Sequence, residues 1–381
     1  MTEASEPNGV GILDGMRSGK AGMSREFDDA ALDALEVVIP NLNWRYSGGT
    51  AVNRTIAPLI AKRWRAAWLG PDRPDGIAAL SVRDLLRLRF RPPRNRKVRI
   101  WHARRNVEMI AGLALNLLGY RFALIFNSAS QRPKTWLTSF LIARMDALIA
   151  TSEAAARYVG RPATVILHGI DVDLYVPPAD RRAAFARSGL PGKYAIGTFG
   201  RVRRQKGSDL FIEAMCRLLP RYPDFSAVVI GLVTVDNRPF VEGLKQRIAA
   251  AGLADRIRFL GELPVQEVPL WYQRISITVF ASRTEGFGLT MLEAMAAGDA
   301  LVASRAGAAE MIVTHGDDGL LTPVGDADAL AAALEPLMRE PERIEAMGAR
   351  ARAVVMSRFS RDREADEISA VYRQVWAARK G

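Results

Sequence analysis

A chain of 381 residues exceeds what one hydrophobic core ordinarily supports, so two domains of roughly 150 to 200 residues with a cleft between them are expected. Hydrophobic residues at 49% and charged residues at 25% exclude long disordered tracts, and a single cysteine, Cys216, excludes a disulfide framework or a thiolate metal cluster and leaves the cytosol as the default compartment. The net charge of +12 predicts attraction to a polyanion, whether nucleic acid, an anionic membrane or a phosphorylated substrate.

In chain order, residues 1–30 are polar and Gly-rich without an apolar core, and read as a frayed tail rather than a signal peptide. Short apolar runs alternating with helical patterns then predict βαβ units with parallel strands. The first series has strands at Leu35–Ile39, Ile77–Leu80, Val98–Trp101, Phe122–Phe126, Ala147–Ala150 and Thr164–Leu167. Between the first two, Ala57–Leu69 reads as one helix with Trp64 and Trp68 a turn apart among Lys62, Arg63 and Arg65. Arginines crowd Arg83–Arg105, making this half the basic one. The most apolar stretch, Met109–Phe126, is interrupted by Asn116, Gly119 and Arg121 and suits a helix followed by a strand better than a bilayer span. His168–Pro178 reads as a hinge. Strands follow at Tyr194–Phe199, Ala227–Ile230, Ile257–Leu260, Ile277–Ala281 and Ala300–Ala303, and helical patterns rich in Ala, Glu and Arg close the chain. The expected division is 31–178 for an N-terminal α/β domain, 179–360 for a second one, and 361–381 for a helix packing back toward the first.

In open parallel sheets ligands bind at the carboxyl ends of strands, which directs attention to four places: Gly48 and Gly49, His102, Arg201–Lys206, and Glu285–Glu293. Gly200-Arg201-Val202-Arg203-Arg204-Gln205-Lys206-Gly207 joins glycine permissiveness to several cations at a helix start, which suits a diphosphate, although a solvated basic loop has the same composition. Its glycine spacing does not match a Walker loop. In Glu285-Gly286-Phe287-Gly288-Leu289-Thr290-Met291-Leu292-Glu293 two carboxylates can accept hydrogen bonds from hydroxyl pairs, while Gly286 and Gly288 let backbone N–H groups approach phosphate oxygens. Asp171-Val172-Asp173 has the form of a divalent-cation motif but lies in the hinge, and His168 and His315 lack ligand-spaced partners, so no metal site is expected.

Arg201 and Lys206, joined to Glu285-Gly286-Phe287-Gly288 and Glu293 in the order E-x7-E, resemble the donor site of retaining glycosyltransferases of family 4, along nearly the whole folded chain. The resemblance implies the GT-B fold: two Rossmann-like doubly wound parallel-sheet domains facing a cleft, with C-terminal helices. It implies that Arg201 and Lys206 hold the donor diphosphate together with Gly48, Gly49, Gly286 and Gly288, electrostatic help standing in place of a metal cofactor. Glu285, Phe287 and Gly288 would then face the donor sugar, Glu293 the ribose, and His102 the donor sugar and acceptor, with His102 and Glu285 as the catalytic pair. Thr290 stands where the family often has proline, Gly298-Asp299-Ala300 replaces Gly-x-Pro, and Asp318 replaces a frequent asparagine, none of which removes a ligand.

Arg45-Tyr46-Ser47-Gly48-Gly49-Thr50 and Trp101–Ile110 further resemble bacterial lipopolysaccharide core mannosyltransferases. That implies GDP-mannose as donor, and an anionic Kdo-bearing lipid A precursor as acceptor at the cytoplasmic face of the inner membrane. Trp64 and Trp68 beside cations suit peripheral contact with that membrane, or else face the sheet, and Arg104 and Arg105 are candidates for the acceptor or the lipid surface. Alternatives are a UDP-sugar enzyme of exopolysaccharide or glycolipid synthesis, a nucleotide-sugar epimerase or phosphorylase of the same architecture, and a nucleic-acid-binding protein. The last lacks an RNP-like aromatic motif or zinc pattern, so no nucleic acid partner is expected. The sequence leaves the oligomeric state open.

Overall fold

The computed structural model describes residues 27–42, 48–94 and 96–379. Most of the expected N-terminal tail and Arg45, Tyr46 and Ser47 of the glycine loop lie outside them, while Asp28 caps the helix Asp29–Ala34 by accepting the Ala31 N–H at 2.7 Å.

The first sheet has seven strands: β1 (Val37–Pro40), β2 (Ala66–Leu69), β3 (Ala78–Ala79), β4 (Arg99–Ala103), β5 (Phe122–Ser128), β6 (Ala147–Ala150) and β7 (Thr164–Val165). The second has six: β8 (Tyr194–Phe199), β9 (Phe225–Ile230), β10 (Ile257–Gly261), β11 (Ile277–Phe280), β12 (Ala300–Ser304) and β13 (Leu320–Thr322). Their orders are β3-β2-β1-β4-β5-β6-β7 and β10-β9-β8-β11-β12-β13, and the pairings are parallel. In both sheets the order reverses direction once, between β1 and β4 and between β8 and β11, which are the positions where an open α/β sheet splays its loops apart and leaves a ligand crevice.

Burial of both faces explains why the strands read as unbroken apolar runs. On one face of the first sheet Val37, Ile39, Trp68, Ile100 and Ile125 pack against Ile368, Val371, Tyr372 and Trp376 of the last helix, Arg361–Ala378. On the other, Val38, Trp101, Leu124 and Phe126 meet Met109 and Leu141 of the helices Asn106–Leu117 and Trp136–Ile142. The chain thus returns to its first domain after the helix Glu342–Arg358, turning at Phe359 and Ser360, where Ile170 N–H donates to the Phe359 carbonyl at 2.8 Å.

Two sequence readings fail in this half. Ala57–Leu69 is not one helix: the helix Gly48–Arg63 stops and Ala66–Leu69 forms β2, fully buried beside β1, too short a run for periodicity to separate strand from helix. Trp68 is 1% exposed with its indole N–H on the Pro71 carbonyl at 2.9 Å, and Trp64 is wedged against Trp376 at 5.0 Å and donates to Ser369 Oγ at 2.8 Å, so neither indole meets a membrane. The arginine run is also less of a surface than its density suggests. Arg87 and Arg91 pair with Asp29, Asp84 and Asp33, and Arg96 with Glu36; Arg99 is 3% exposed, donates to the carbonyls of Leu35, Arg91 and Leu32, and burial lowers its pKa to about 10.

Candidate active site

The loops after β8 and β11, neighbours at the second switch point, are tied together before any ligand arrives. Arg283 N–H donates to the Gln205 carbonyl at 2.8 Å, Gln205 Nε2 to the Thr284 carbonyl at 3.0 Å, and Arg283 grips Asp209 through both guanidinium nitrogens at 2.7 and 2.9 Å. Gly207 makes the close approach possible. It has φ +71° as it caps the helix Ser208–Leu218, and a Cβ there would lie 1.9 Å from the Ala281 carbonyl oxygen.

Within this frame Lys206 Nζ forms an ion pair with Glu285 Oε2, both side chains about one-fifth exposed, while Ser282 Oγ lies 3.5 Å from the same oxygen and the Gly286 N–H donates to Oε1 at 3.2 Å. Arg201, on the same loop, is exposed and has no hydrogen bond or ion pair among the described residues. One cation is held ready by a carboxylate and a second stands open, beside the N-terminus of the helix Leu289–Ala296 that Gly288 caps with φ +102°. An anion could be received here by fixed charges and backbone N–H groups. The Phe287 side chain, in contrast, is 5% exposed and meets the His168 ring edge-on with ring centroids 4.8 Å apart, so only its backbone is available to a ligand.

Glu293 sits one helical face deeper. Tyr272 Oη donates to it at 2.8 Å, and Tyr272 in turn stacks on Phe199 with ring centroids 3.7 Å apart. Burial raises the Glu293 pKa, opposed by the hydroxyls of Tyr272 and Tyr175 and by the Lys206 charge, so Glu293 is electrostatically coupled to the lysine that pairs with Glu285.

From the first sheet, Gly48 and Gly49 open the helix Gly48–Arg63 that follows β1. His102 is a correction. It was expected beside the donor sugar, but β4 continues past it to Ala103 and strand alternation turns its ring toward the last helix, where Nδ1 lies 2.6 Å from Tyr372 Oη. The ring is 2% exposed, and burial followed by the Arg104 charge lowers its pKa well below the ordinary value, so it is a neutral imidazole joining the chain's end to its first domain. His102→Phe is therefore expected to lower the melting temperature by several degrees, about 1–3 kcal/mol for a lost buried hydrogen-bonding group, with kcat of the folded fraction nearly unchanged; calorimetry and turnover on the same sample separate the two effects.

The remaining decoys are accounted for by neighbours. Asp171 Oδ1 accepts the Asp173 N–H at 3.2 Å in a turn and Oδ2 pairs with Arg361 at 2.6 Å; His315 Nδ1 accepts the Leu321 N–H at 2.9 Å. His168 Nδ1 lies 2.8 Å from Glu364 Oε1, and although burial works against ionisation of Glu364, His168, the Gly169 N–H and the Arg104 charge hold its pKa below the usual range. Asp299, in the altered Gly-x-Pro position, pairs with Arg181 at 2.9 Å and accepts from Thr278 at 2.8 Å. Among the described residues no three His, Cys, Asp or Glu side chains converge as a metal site.

Sequence reading missed the loop after β5. Gln131 Nε2 reaches across to the Gly286 carbonyl at 2.9 Å and to Ser152 Oγ at 3.2 Å, and a Cβ on Gly286 would come within 3.0 Å of the Ala129 carbonyl oxygen. The carboxyl-end rule applied to β5 as well as β4 points to this loop; without a charged pair or glycine pattern it gave no other signal.

Residues 180–354 match the family model described as glycosyl transferases group 1. A lipopolysaccharide core biosynthesis mannosyltransferase LpcC from Rhizobium leguminosarum bv. viciae is 46% identical over 89% of this chain and 96% of its own length, and LpsB from Rhizobium meliloti, of the same description, is 43% identical over 89% and 97%. The crystal structure of Anabaena Alr3699/HepE in complex with UDP superposes with a TM-score of 0.76 over 89% of this chain and all of that one at 19% identity, a likeness of fold with the GT-B architecture. With that coverage and identity, the chain belongs to the group 1 glycosyltransferases and is an enzyme of that family.

Proposed function

We propose that the chain transfers mannose, with retained configuration, from GDP-mannose to the inner core of an anionic Kdo–lipid A precursor at the cytoplasmic face of the membrane. The observation that carries this reading is the Lys206–Glu285 pair with Arg201 open beside it, at the carboxyl ends of β8 and β11 and facing the first domain. In the proposed reaction Lys206 and Arg201 neutralise the charge that grows on the diphosphate as it leaves. Glu285, released by Lys206 when the diphosphate arrives, accepts hydrogen bonds from sugar hydroxyls, and Glu293 accepts from the ribose. The mannose and the lipopolysaccharide acceptor are carried over from the names of the two rhizobial relatives.

Membrane contact moves from the tryptophans first considered to the helices Asn106–Leu117 and Trp136–Ile142. Trp136 is 81% exposed, and Val107, Ile110, Leu137 and Phe140 are exposed around it, with the Arg144 guanidinium 3.4 Å over the Phe140 ring. An apolar patch edged by cations suits an anionic bilayer surface. No helix among the described residues is long and apolar enough to cross a membrane. Trp136→Ser with Phe140→Ser is expected to weaken sedimentation with phosphatidylglycerol vesicles by about tenfold or more, on the scale of two large apolar side chains, with turnover of a detergent-dispersed acceptor retained; undiminished sedimentation removes the patch from the account.

Incubating the protein with GDP-mannose, GDP-glucose, UDP-glucose and UDP-galactose, each radiolabelled in the sugar, with and without Kdo–lipid A, tests the function. Label is expected in lipid from GDP-mannose, as an α-linkage. Isomerised or hydrolysed donor without acceptor would instead favour the epimerase reading.

A further inference from the structure

The loop after β5 also closes a cavity of about 980 Å³ between the helices Asn106–Leu117 and Trp136–Ile142, which Asn106 Nδ2 and Thr138 Oγ1 tie together at 2.8 Å. Arg104, Arg105, Arg132 and Lys134 line it, and no carboxylate does. Two buried acids are already engaged: Glu108 accepts the backbone N–H groups of Arg104 and Arg105 at 2.7 and 3.1 Å and lies 3.5 Å from the Arg105 guanidinium, and Glu364, whose ionisation the Arg104 charge favours, pairs with His168. Lys134 Nζ meets only neutral oxygens, Ser128 Oγ at 3.0 Å and the Ser130 carbonyl at 3.1 Å. Arg132 is exposed and has no partner among the described residues, and Arg104 Nε is enclosed without one. Elsewhere in this domain Arg87, Arg91, Arg96 and Arg63 each meet a carboxylate. Here Arg132 and Lys134 meet no carboxylate among the described residues, beside Arg104 and Arg105 on one concavity, and an anion is the group that offsets the excess positive charge.

The cavity adjoins the donor loop. Ala129 on its wall is the residue whose carbonyl oxygen abuts Gly286, and Gln131, next to Arg132, bonds to the Gly286 carbonyl. We propose that this basin binds an anionic substituent of the acceptor saccharide, a carboxylate or a phosphate, and so presents the neighbouring hydroxyl to the donor sugar. The inference rests on the transferase reading above and adds to it the residues that choose an acidic acceptor, Arg132 and Lys134 foremost.

Arg132→Glu disrupts no contact of the folded chain and reverses the charge at the basin. With Kdo–lipid A in detergent micelles, the KM for the acceptor is expected to rise about tenfold or more, with KM for GDP-mannose within about twofold of wild type. Methyl-esterifying the Kdo carboxylate, or separately removing the lipid A phosphates, identifies which anion is read: the wild type loses about the same factor on one of these, and the variant loses little. An unchanged acceptor KM in both Arg132→Glu and Lys134→Met, or a variant as sensitive to charge removal as the wild type, overturns the proposal. Binding of the water-soluble Kdo methyl glycoside and of inorganic phosphate, followed by NMR, needs no turnover. If the wild type transfers nothing yet binds one of these anions and Arg132→Glu does not, the transferase reading fails while the basin stands; equal binding by both proteins sinks the basin alone.

Discussion

Lys206→Ala is expected to reduce kcat for sugar transfer by about two to three orders of magnitude, roughly 2.7–4 kcal/mol, the cost of removing one fixed group that meets charge developing in the transition state. Lys206 reaches its position through a short loop pinned by Gln205 and Arg283, and it is ion-paired with Glu285. The same loss should follow Glu285→Ala, but through a different route: the lysine remains and still holds diphosphate, so binding of free GDP is expected to weaken in Lys206→Ala and not in Glu285→Ala. Because the two groups act on one bound donor, the double variant should lose far less than the product of the single losses. Calorimetric titration with GDP and steady-state turnover of the three variants distinguish this from a general loss of folding, which would lower all quantities together.

Gly207→Ala is expected to combine a stability loss with a catalytic one. At φ +71° an alanine costs about 1–2 kcal/mol in backbone strain. Its Cβ would lie 1.9 Å from the Ala281 carbonyl oxygen, so the helix start and the end of β11 must also part. A total of about 3 kcal/mol corresponds to a melting temperature lower by roughly 6–12 °C in a domain of this size. The separation also pulls Lys206 away from Glu285, so kcat should fall by about tenfold or more at temperatures where the variant is still folded. A melting temperature within about 2 °C of wild type, a change of at most about 1 kcal/mol in a domain of this size, with unaltered turnover would mean that the close packing of these two loops does not organise the site.

The sequence made the alternating architecture legible because buried parallel strands are continuous apolar runs: β5, β6, β8, β9 and β11 are found within a residue or two of their expected bounds. It failed at β2, where Ala66-Ala67-Trp68-Leu69 follows directly on a helix and the tryptophans sustain an apparent helical spacing. The meeting of Lys206 with Glu285 was legible because both stand in glycine-flanked loops directly after strands. His102 was misplaced for the opposite reason. Whether the last residues of a strand emerge into a crevice or lie under a covering element depends on the helix Arg361–Ala378, some 260 positions later in the chain, and no local pattern reports that contact. Gln131, Arg132 and Lys134 were overlooked because each is unremarkable alone; only the fold brings them to the rim of Gly286 and the wall of the basic cavity.

The charge distribution acquires a different meaning once partners are assigned. A net charge of +12 invited a broad electrostatic surface, yet many arginines of Arg83–Arg105 are consumed within the first domain, as with Arg99 on three carbonyls. Arg201 on the loop after β8, and Arg132 and Lys134 at the basin, meet no carboxylate among the described residues. Gln131, next to Arg132, bonds to the Gly286 carbonyl and so ties the basin to the loop that carries Glu285.

Diffraction from crystals grown with GDP-mannose tests the central claim most directly. The donor diphosphate is expected with its oxygens about 3 Å from Lys206 Nζ and the Arg201 guanidinium, the Lys206–Glu285 pair parted and Glu285 turned to the sugar hydroxyls. A donor bound with its diphosphate elsewhere, leaving Lys206 and Glu285 joined, would contradict it.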